Sequence, residues 1–444
     1  MSKRRKYKGI GVALNEAQTR ARGEIQSTVR EVGWHLLTGA AGSGKTTLAQ
    51  DMLGEWHHNY RRVIAAAPTH KAVAVLAKKL KAAKLDVPLR TIQSVLGLKP
   101  SHTSARLEFY RPENAPAIDA EIVLVDEGSM LGEELMGHIH KHLGDRTVIF
   151  VADPAQLNPV GEKRSRIFGI EPHAHLATPV RQAADNPIYL ACEAIRASQE
   201  AGEADWSWAR AWRHNGKGIY RPDDQDAWVR KAFRSSDVKA DPDWARVITW
   251  TNESVANWNT KIRTWIHGTL PAEPFVPGEY ILARAPVMRG DDAIINTNEE
   301  VLVLEMKQGR HMPKFYPTGA EGLGEWAADI ACWEYKVRTS LGLEHTVRMA
   351  IDDTAYGRTS DRLAAEAKID RSRWRDFHNF RGSFLRGQQL HALTVHNAQG
   401  STFRHVFVNI AEMEKWMRSD LLEGQRGLYV AASRPTDSLI LVGI

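Results

Sequence analysis

The sequence predicts an α/β protein: two parallel-sheet halves in tandem, with a small β-hairpin inserted in the first and a small β-barrel inserted in the second. Three observations carry that expectation. Continuous apolar runs of strand length alternate with helical segments, the pattern of parallel sheets covered on both faces. One such run, Trp34-His-Leu-Leu-Thr38, enters Gly39-Ala-Ala-Gly-Ser-Gly-Lys45-Thr46, which has the phosphate-loop spacing G-x-x-x-x-G-K-[ST]. From about Pro271 to Ile351 the pattern changes to short alternating segments, as in a small all-β insertion.

The elements follow in order. After the strand at 34–38, a helix is expected from Thr46 to Leu53. Arg61–Ala67, Glu121–Val125 and Thr147–Ala152 supply further strands of the first half. Between Leu98 and Ile118, prolines and two short strand-like pieces indicate a hairpin or arm. The second half begins near Val180, with strands at Arg246–Trp250, His391–Val395, Val406–Ile410 and Leu439–Val442, and no phosphate loop. Inside it, Tyr280–Arg284 and Glu300–Leu304 belong to the β insertion, and Asp361–Leu385 is charged, helical and aromatic-bearing. No repeat of fixed period is present, and 444 residues are enough for more than one domain. Ligands of open parallel sheets sit beyond the carboxyl ends of the strands, where this chain concentrates its reactive side chains.

Composition narrows the function classes. Lys and Arg number 59 against 53 Asp and Glu, a modest excess of +6 that permits a polyanionic partner without requiring one. The basic run Lys3–Lys6 reads as a solvated tail; no apolar stretch follows it, so no signal peptide is expected. No run is long enough to span a bilayer. Cys192 and Cys332 form neither a metal spacing nor a disulfide framework, which suits a reducing compartment, and the expected location is cytoplasmic. His138 and His142 share a helical face at i, i+4 without a third ligand, so a polar face is expected there, not a metal clip. The 14 tryptophans are assigned mainly to packing, with base stacking in a single-strand channel as the alternative.

The phosphate loop has a definite chemistry. Gly39, Gly42 and Gly44 allow a tight turn whose N–H groups, with that of Ser43, face inward. The following helix, opening with Lys45, Thr46 and Thr47, adds its positive end. Lys45 is expected on the β- and γ-phosphates and Thr46 on Mg²⁺. The loop by itself indicates only an NTPase. After the strand Val123–Val125 stand Asp126, expected on Mg²⁺, and Glu127, expected to orient or deprotonate water. That pair favours hydrolysis over phosphoryl transfer. Gln156, in Val151-Ala-Asp-Pro-Ala-Gln-Leu-Asn-Pro-Val160, can donate and accept, as a γ-phosphate switch must.

Taken in order, GAAGSGKT, VDEGS and ADPAQLNPV resemble motifs I, II and III of superfamily 1 helicases. Asn15–Gln18 is similar to the upstream element whose glutamine, here Gln18, reads adenine. Ala67–Ala72 resembles motif Ia, Thr91–Ser94 motif Ib, and Leu176–Gln182 the motif IV arginine segment. Thr251–Asn257 resembles the strand-to-helix motif that follows, Leu393–Gly400 motif V and Tyr429–Arg434 motif VI. The match spans nearly the whole chain, and within the superfamily its layout is most similar to the SF1B branch, the Dda- and RecD-like group.

That resemblance implies two RecA-like domains, 1–178 and 179–270 with 386–444, an arm at 97–119, and an SH3-like barrel with helical extension at 271–385. It implies ATP and Mg²⁺ as cofactors, and an ATP-driven DNA helicase moving 5′→3′ on single-stranded DNA as a monomer. Forked duplex is the implied substrate, and replication, recombination or single-strand-binding proteins the implied partners. Arg181 and Arg434 are the implied arginine fingers. Thr69, His70, Thr91 and Ser94 on the first domain, with Thr394 and His396 on the second, are the implied DNA grips. Phe109 either stacks at the fork as a pin or packs the arm onto its domain. Four departures weaken the inferred grip rather than hydrolysis: Ala152 for Gly, Asn158 for Pro, Gln93 for His and Asn397 for Lys. A RecD-like subunit of a nuclease complex and a nucleotide-switched clamp stay open as alternatives.

Overall fold

The computed structural model describes residues 9–31, 33–59, 61–101, 108–177, 185–290, 292–316, 325–340 and 342–443. The chain forms two compact units: Met1–Gly97, Ala115–Ile262 and His391–Ile444 make the first, and Leu98–Asn114 with Arg263–Leu390 the second.

The first unit holds two lobes. The amino-terminal lobe contains α1 (Glu16–Glu31), β1 (Trp34–Gly39), α2 (Lys45–His58), β2 (Val63–Ala67), α3 (His70–Ala82), β3 (Leu89–Thr91) and α4 (Ile92–Val95). The hairpin β4 (Lys99–Ser101) and β5 (Glu108–Tyr110) interrupts it, after which come β6 (Ile122–Val125), α5 (Glu133–Leu143), β7 (Thr147–Ala152) and β8 (His173–Leu176). Its sheet has the order β3-β2-β6-β7-β1-β8 and is parallel throughout. Every residue of β6 and β7 is buried, which accounts for their unbroken apolar sequence. Ile25 of α1 and Leu48 and Met52 of α2 pack with Leu37, Ile122 and Val151 in one core. The helix expected over 46–53 continues to His58.

The second lobe begins with α6 (Pro187–Ala201), β9 (Trp212–His214), β10 (Lys217–Tyr220), α7 (Gln225–Phe233), α8 (Ser236–Ala240), β11 (Ala245–Thr249) and α9 (Asn252–His267). The ends of α6 are written in its sequence: the Asn186 side chain caps Ile188 N–H, Pro187 starts the first turn, and Gly202 closes it at φ 70°.

The inserted sheet follows, as β12 (Tyr280–Ala283), β13 (Val287–Arg289), β14 (Asp292–Ile295), β15 (Glu300–His311), β16 (Lys314–Phe315), β17 (Trp326–Ala327), β18 (Ile330–Thr339) and β19 (Glu344–Ala350). Then come α10 (Asp353–Ile369), α11 (Trp374–Gly382) and β20 (Gly387–Gln389). The chain returns to the second lobe through β21 (Ala392–Thr394), α12 (Val395–Ala398), β22 (Phe403–Asn409), α13 (Ile410–Ser419), α14 (Leu421–Ala432) and β23 (Pro435–Val442). This lobe's sheet has the order β21-β11-β22-β23-β10-β9, parallel except for the β9–β10 edge pair. Leaving out the arm and the edge strands, both lobes place their strands in the order third, second, fourth, fifth, first. They are tandem RecA-like lobes.

In the second unit, a five-stranded sheet of order β19-β18-β15-β12-β20 wraps a core of Phe275, Ile281, Val301, Tyr335, Val337 and Leu385. Its two ends meet: Leu385 N–H donates to Arg348 O at 2.6 Å, beside a bridge between Arg348 and Phe384. The helical stretch expected over 361–385 is broken between α10 and α11, where Asp370 caps a short turn. Trp374, Phe377 and Phe380 of α11 pack with Leu363 of α10. The unit starts at Arg263 in the last turns of α9, since Arg263 and His267 both bond Glu279, at 2.6 and 2.9 Å. The arm strands pair Pro100 with Phe109.

Candidate active site

Strand β1 ends at Gly39, and α2 begins at Lys45. Between them Gly42 and Gly44 have φ of 80° and 85°, left-handed values that glycine alone adopts without strain. A Cβ on Gly39 would lie 2.5 Å from Ser43 Oγ and 2.9 Å from the Leu176 carbonyl, so this position also excludes a side chain. Ser43 Oγ is buried without a protein partner, a group that a ligand oxygen can satisfy. Lys45 Nζ donates to the Gly39 and Ala40 carbonyls at 2.5 and 2.8 Å and lies 3.8 Å from Asp153. Gln18 is buried and braces the loop: its Nε2 donates to Gly44 O at 3.2 Å, and its Oε1 accepts Asn15 N–H at 2.9 Å.

Strand β6 delivers the acid pair. Asp126 Oδ1 accepts the Glu127 N–H at 3.0 Å, and Glu127 itself has φ 54°. Burial of the Glu127 carboxyl, with the Asp126 charge beside it, pushes its pKa up; Arg434, Lys45 and Lys79 pull the other way. On the same side, Lys79 Nζ stands 3.4 Å from the Thr46 hydroxyl. A positive group therefore stands beside one of the two expected Mg²⁺ ligands, and the expected donors, the Thr46 hydroxyl and the Asp126 carboxylate, are hard oxygen ligands of the kind Mg²⁺ takes.

The second lobe closes the cleft. Arg434 follows α14, is buried, and is held by Ser401 O at 3.1 Å, Val430 O at 3.0 Å and the Ser433 hydroxyl. Lys45, Thr46, Thr47, Asp126, Glu127, Gln156 and Arg434 line one cleft of about 510 Å³. Arg181 lies outside the described residues.

Hydrogen bonds tie the lobes beside this cleft. The Tyr429 hydroxyl, fully buried on α14, donates to Asp153 Oδ2 at 2.7 Å and accepts the Ala41 N–H of the phosphate loop at 2.8 Å. Burial and the nearby Asp153 hold this phenol well above its ordinary pKa, so it stays neutral. Gln399 Nε2 donates to Gln156 Oε1 at 3.1 Å, a buried amide pair across the lobes. Asn158, one of the departures noted above, donates to Glu423 Oε1 at 2.9 Å, a bond that proline could not make.

The residues expected on DNA sit at strand ends, as helix caps. Thr69 lies just after β2, Thr91 and Thr394 end β3 and β21, and their hydroxyls accept the N–H of Ala72, Ser94 and Asn397. His70 opens α3, and Ser94 is exposed on α4. His396 is half-buried 5.6 Å from the Trp416 ring, which stacks on Trp250 at 5.5 Å, and burial lowers the His396 pKa. Phe109 belongs to the other unit, exposed on its hairpin. His138 and His142 stack at 6.1 Å, and no metal-ligating cluster occurs among the described residues. Sequence reasoning did not single out Tyr429, Asp153, Gln399 or Lys79. The first three lay inside quoted motifs, and Lys79 gave no signal beyond a helical lysine.

The fold and site define a class: a two-lobed P-loop nucleotide-binding protein, with the phosphate loop and acids on one lobe and a basic residue reaching in from the other. An AAA-domain model matches residues 13–217, and a model of the UvrD-like helicase C-terminal domain matches 389–442. The chain thus matches, in this order, an AAA domain and a UvrD-like helicase C-terminal domain. Among curated proteins it is similar to an uncharacterized protein of Acanthamoeba polyphaga mimivirus, at 23% identity over 55% of each chain. It thus spans about half the length of that relative. Among solved structures, it resembles one describing DNA unwinding at forked double-stranded DNA by two coordinating Pif1 helicases (16% identity, 97% of this chain and 92% of that one, TM-score 0.47). Another is Pif1 helicase from Candida albicans (14% identity, 97% and 95%, TM-score 0.46). Among the described residues, no helix is long and apolar enough to cross a membrane.

Proposed function

We propose that the protein is an ATP-dependent DNA helicase of the SF1B, Dda- and RecD-like branch, moving 5′→3′ on single-stranded DNA. The observation that carries this reading is the shared cleft, in which Lys45, Asp126, Glu127 and Gln156 of one lobe face Arg434 of the other. Lys45 leaves its loop carbonyls for the β- and γ-phosphates. Thr46 and Asp126 would hold Mg²⁺, which would neutralise charge on the phosphate oxygens. Glu127 orients and deprotonates the attacking water, its raised pKa suiting a base. Arg434, with Arg181 as its expected companion, stabilises charge on the transferring phosphoryl group. Gln156 passes the state of the γ-phosphate to Gln399 and thus to the second lobe. Thr69, His70, Thr91 and Ser94 on one lobe, and Thr394 and His396 on the other, then grip the DNA backbone alternately as the cleft closes and opens. Phe109 is the candidate pin.

The test is strand displacement on duplexes with a 5′ or a 3′ tail, using DNA and RNA loading strands. The expected result is displacement from the 5′-tailed DNA only, dependent on ATP and Mg²⁺, with Phe109→Ala keeping hydrolysis but unwinding poorly. Nucleotide-controlled DNA binding with no displacement on any substrate would leave a clamp and end the helicase reading.

A further inference from the structure

Helix α3 carries neighbouring lysines that point in different directions. Successive helical residues are rotated by about 100°. Lys78, with Lys71 two turns earlier, reaches Asp243 of the second lobe, at 3.6 and 3.3 Å. Lys79 turns into the nucleotide cleft, which it lines together with Val75 of the same helix. There its ammonium stands 3.4 Å from the Thr46 hydroxyl and acts electrostatically on Glu127.

Lys79 is solvent-exposed, yet a divalent cation held by Thr46 and Asp126 would repel an ammonium group standing beside the same hydroxyl. Lys79 would therefore swing aside when metal and nucleotide bind. Its stem is long and flexible and the rest of the cleft remains within reach. On the Thr46 and Glu127 side, the new negative charge would be that of the terminal phosphate, because the base that activates water must face the phosphate under attack. We propose that Lys79 is a further γ-phosphate-binding residue of this site, one that rests beside the Thr46 hydroxyl until nucleotide arrives. This inference rests on the cleft being an ATP site. It makes α3 a direct link between the γ-phosphate and the Thr69–His70 turn at the start of the helix, at the strand edge assigned to DNA.

The experiment measures binding, without DNA and without turnover. Equilibrium dissociation constants of Mg²⁺ with a non-hydrolysable ATP analogue, and of Mg²⁺ with ADP, are compared for the full chain, Lys79→Met, Lys79→Arg and Lys45→Met. Loss of one charge-assisted contact predicts about tenfold weaker binding of the triphosphate analogue to Lys79→Met. ADP binding is expected to stay within about twofold, and Lys79→Arg to restore most of the triphosphate affinity. Unchanged triphosphate binding in Lys79→Met, or equal loss of both nucleotides, overturns the proposal. Lys45→Met separates the two ideas. If it too leaves triphosphate binding intact, the ATP-site reading falls; if it weakens binding while Lys79→Met does not, only the role of Lys79 falls.

Discussion

The two lobes have the same strand order, yet they treat the end of their first strand in opposite ways. In the amino-terminal lobe β1 runs into a glycine loop, and the N–H groups at the start of α2 are left for a ligand. In the second lobe the matching strand, β10, runs into Arg221-Pro-Asp-Asp-Gln225, and the Asp224 carboxylate accepts the Ala227 N–H at 2.9 Å to cap α7. An acid placed there satisfies the helix end and repels phosphate. Elsewhere the lobes agree. Thr91 at the end of β3 and Thr394 at the end of β21 occupy equivalent places and make the same cap. Thr69 after β2 is matched by Thr251 after β11, although the Thr251 hydroxyl also donates to Glu412 at 2.7 Å. The comparison teaches that the sheet supplies position only. One loop sequence decides which lobe receives nucleotide, and the strand-edge threonines are common to both.

That contrast can be broken from either side. Lys45→Ala is the largest expected effect: removing the loop side chain proposed to reach the β- and γ-phosphates should cut kcat/KM for ATP by about a hundredfold or more. Circular dichroism should be unchanged and the urea midpoint should fall only modestly, because Lys45 bonds carbonyls of its own loop and stands 3.8 Å from the buried Asp153 carboxylate. Substantial turnover in this variant would mean that the lobes do not differ in the way described. Tyr429→Phe comes next. It deletes the hydroxyl between Ala41 and Asp153 and leaves a buried N–H and a carboxylate oxygen without their partner, at a cost of about 1–3 kcal/mol. The urea midpoint should fall accordingly; no change would show that the bond joining the lobes is energetically idle. Asp224→Ala is the smallest. Loss of a cap costs about 0.5–2 kcal/mol, with ATP hydrolysis unaltered, and a change in nucleotide affinity would contradict the assignment of a single phosphate-binding lobe.

Much of this was legible in the sequence, for identifiable reasons. The strands of both sheets are apolar because they are buried on both faces, so β1, β2, β6, β7, β11, β22 and β23 announce themselves. The phosphate loop, Asp126–Glu127 and the Gln156 segment are local, and local geometry follows local sequence. What escaped notice depends on the lobes meeting. Nothing near Tyr429 in the chain indicates that its hydroxyl will find Asp153 and Ala41, far away in sequence. Lys79 is a different case: its neighbours Thr46 and Glu127 lie in its own lobe, and it looks like any solvated helical lysine until α3 is laid beside the phosphate loop. The threonines were legible as polar residues at strand ends, but their hydroxyls proved to be engaged in capping. Edge strands such as β8 and β9 are short and partly exposed, so they lack the apolar run that marks the others.

Glu127 carries a last consequence. Its φ of 54° and ψ of 38° place a side-chain-bearing residue where asparagine or glycine is at ease. The strain is worth roughly 1–2 kcal/mol, and burying a carboxyl beside another adds to it. Endurance and chemistry are therefore opposed at this one position. Under selection for heat resistance alone, drift to asparagine or glycine here would toughen the fold, and on the role proposed for Glu127 it would silence hydrolysis.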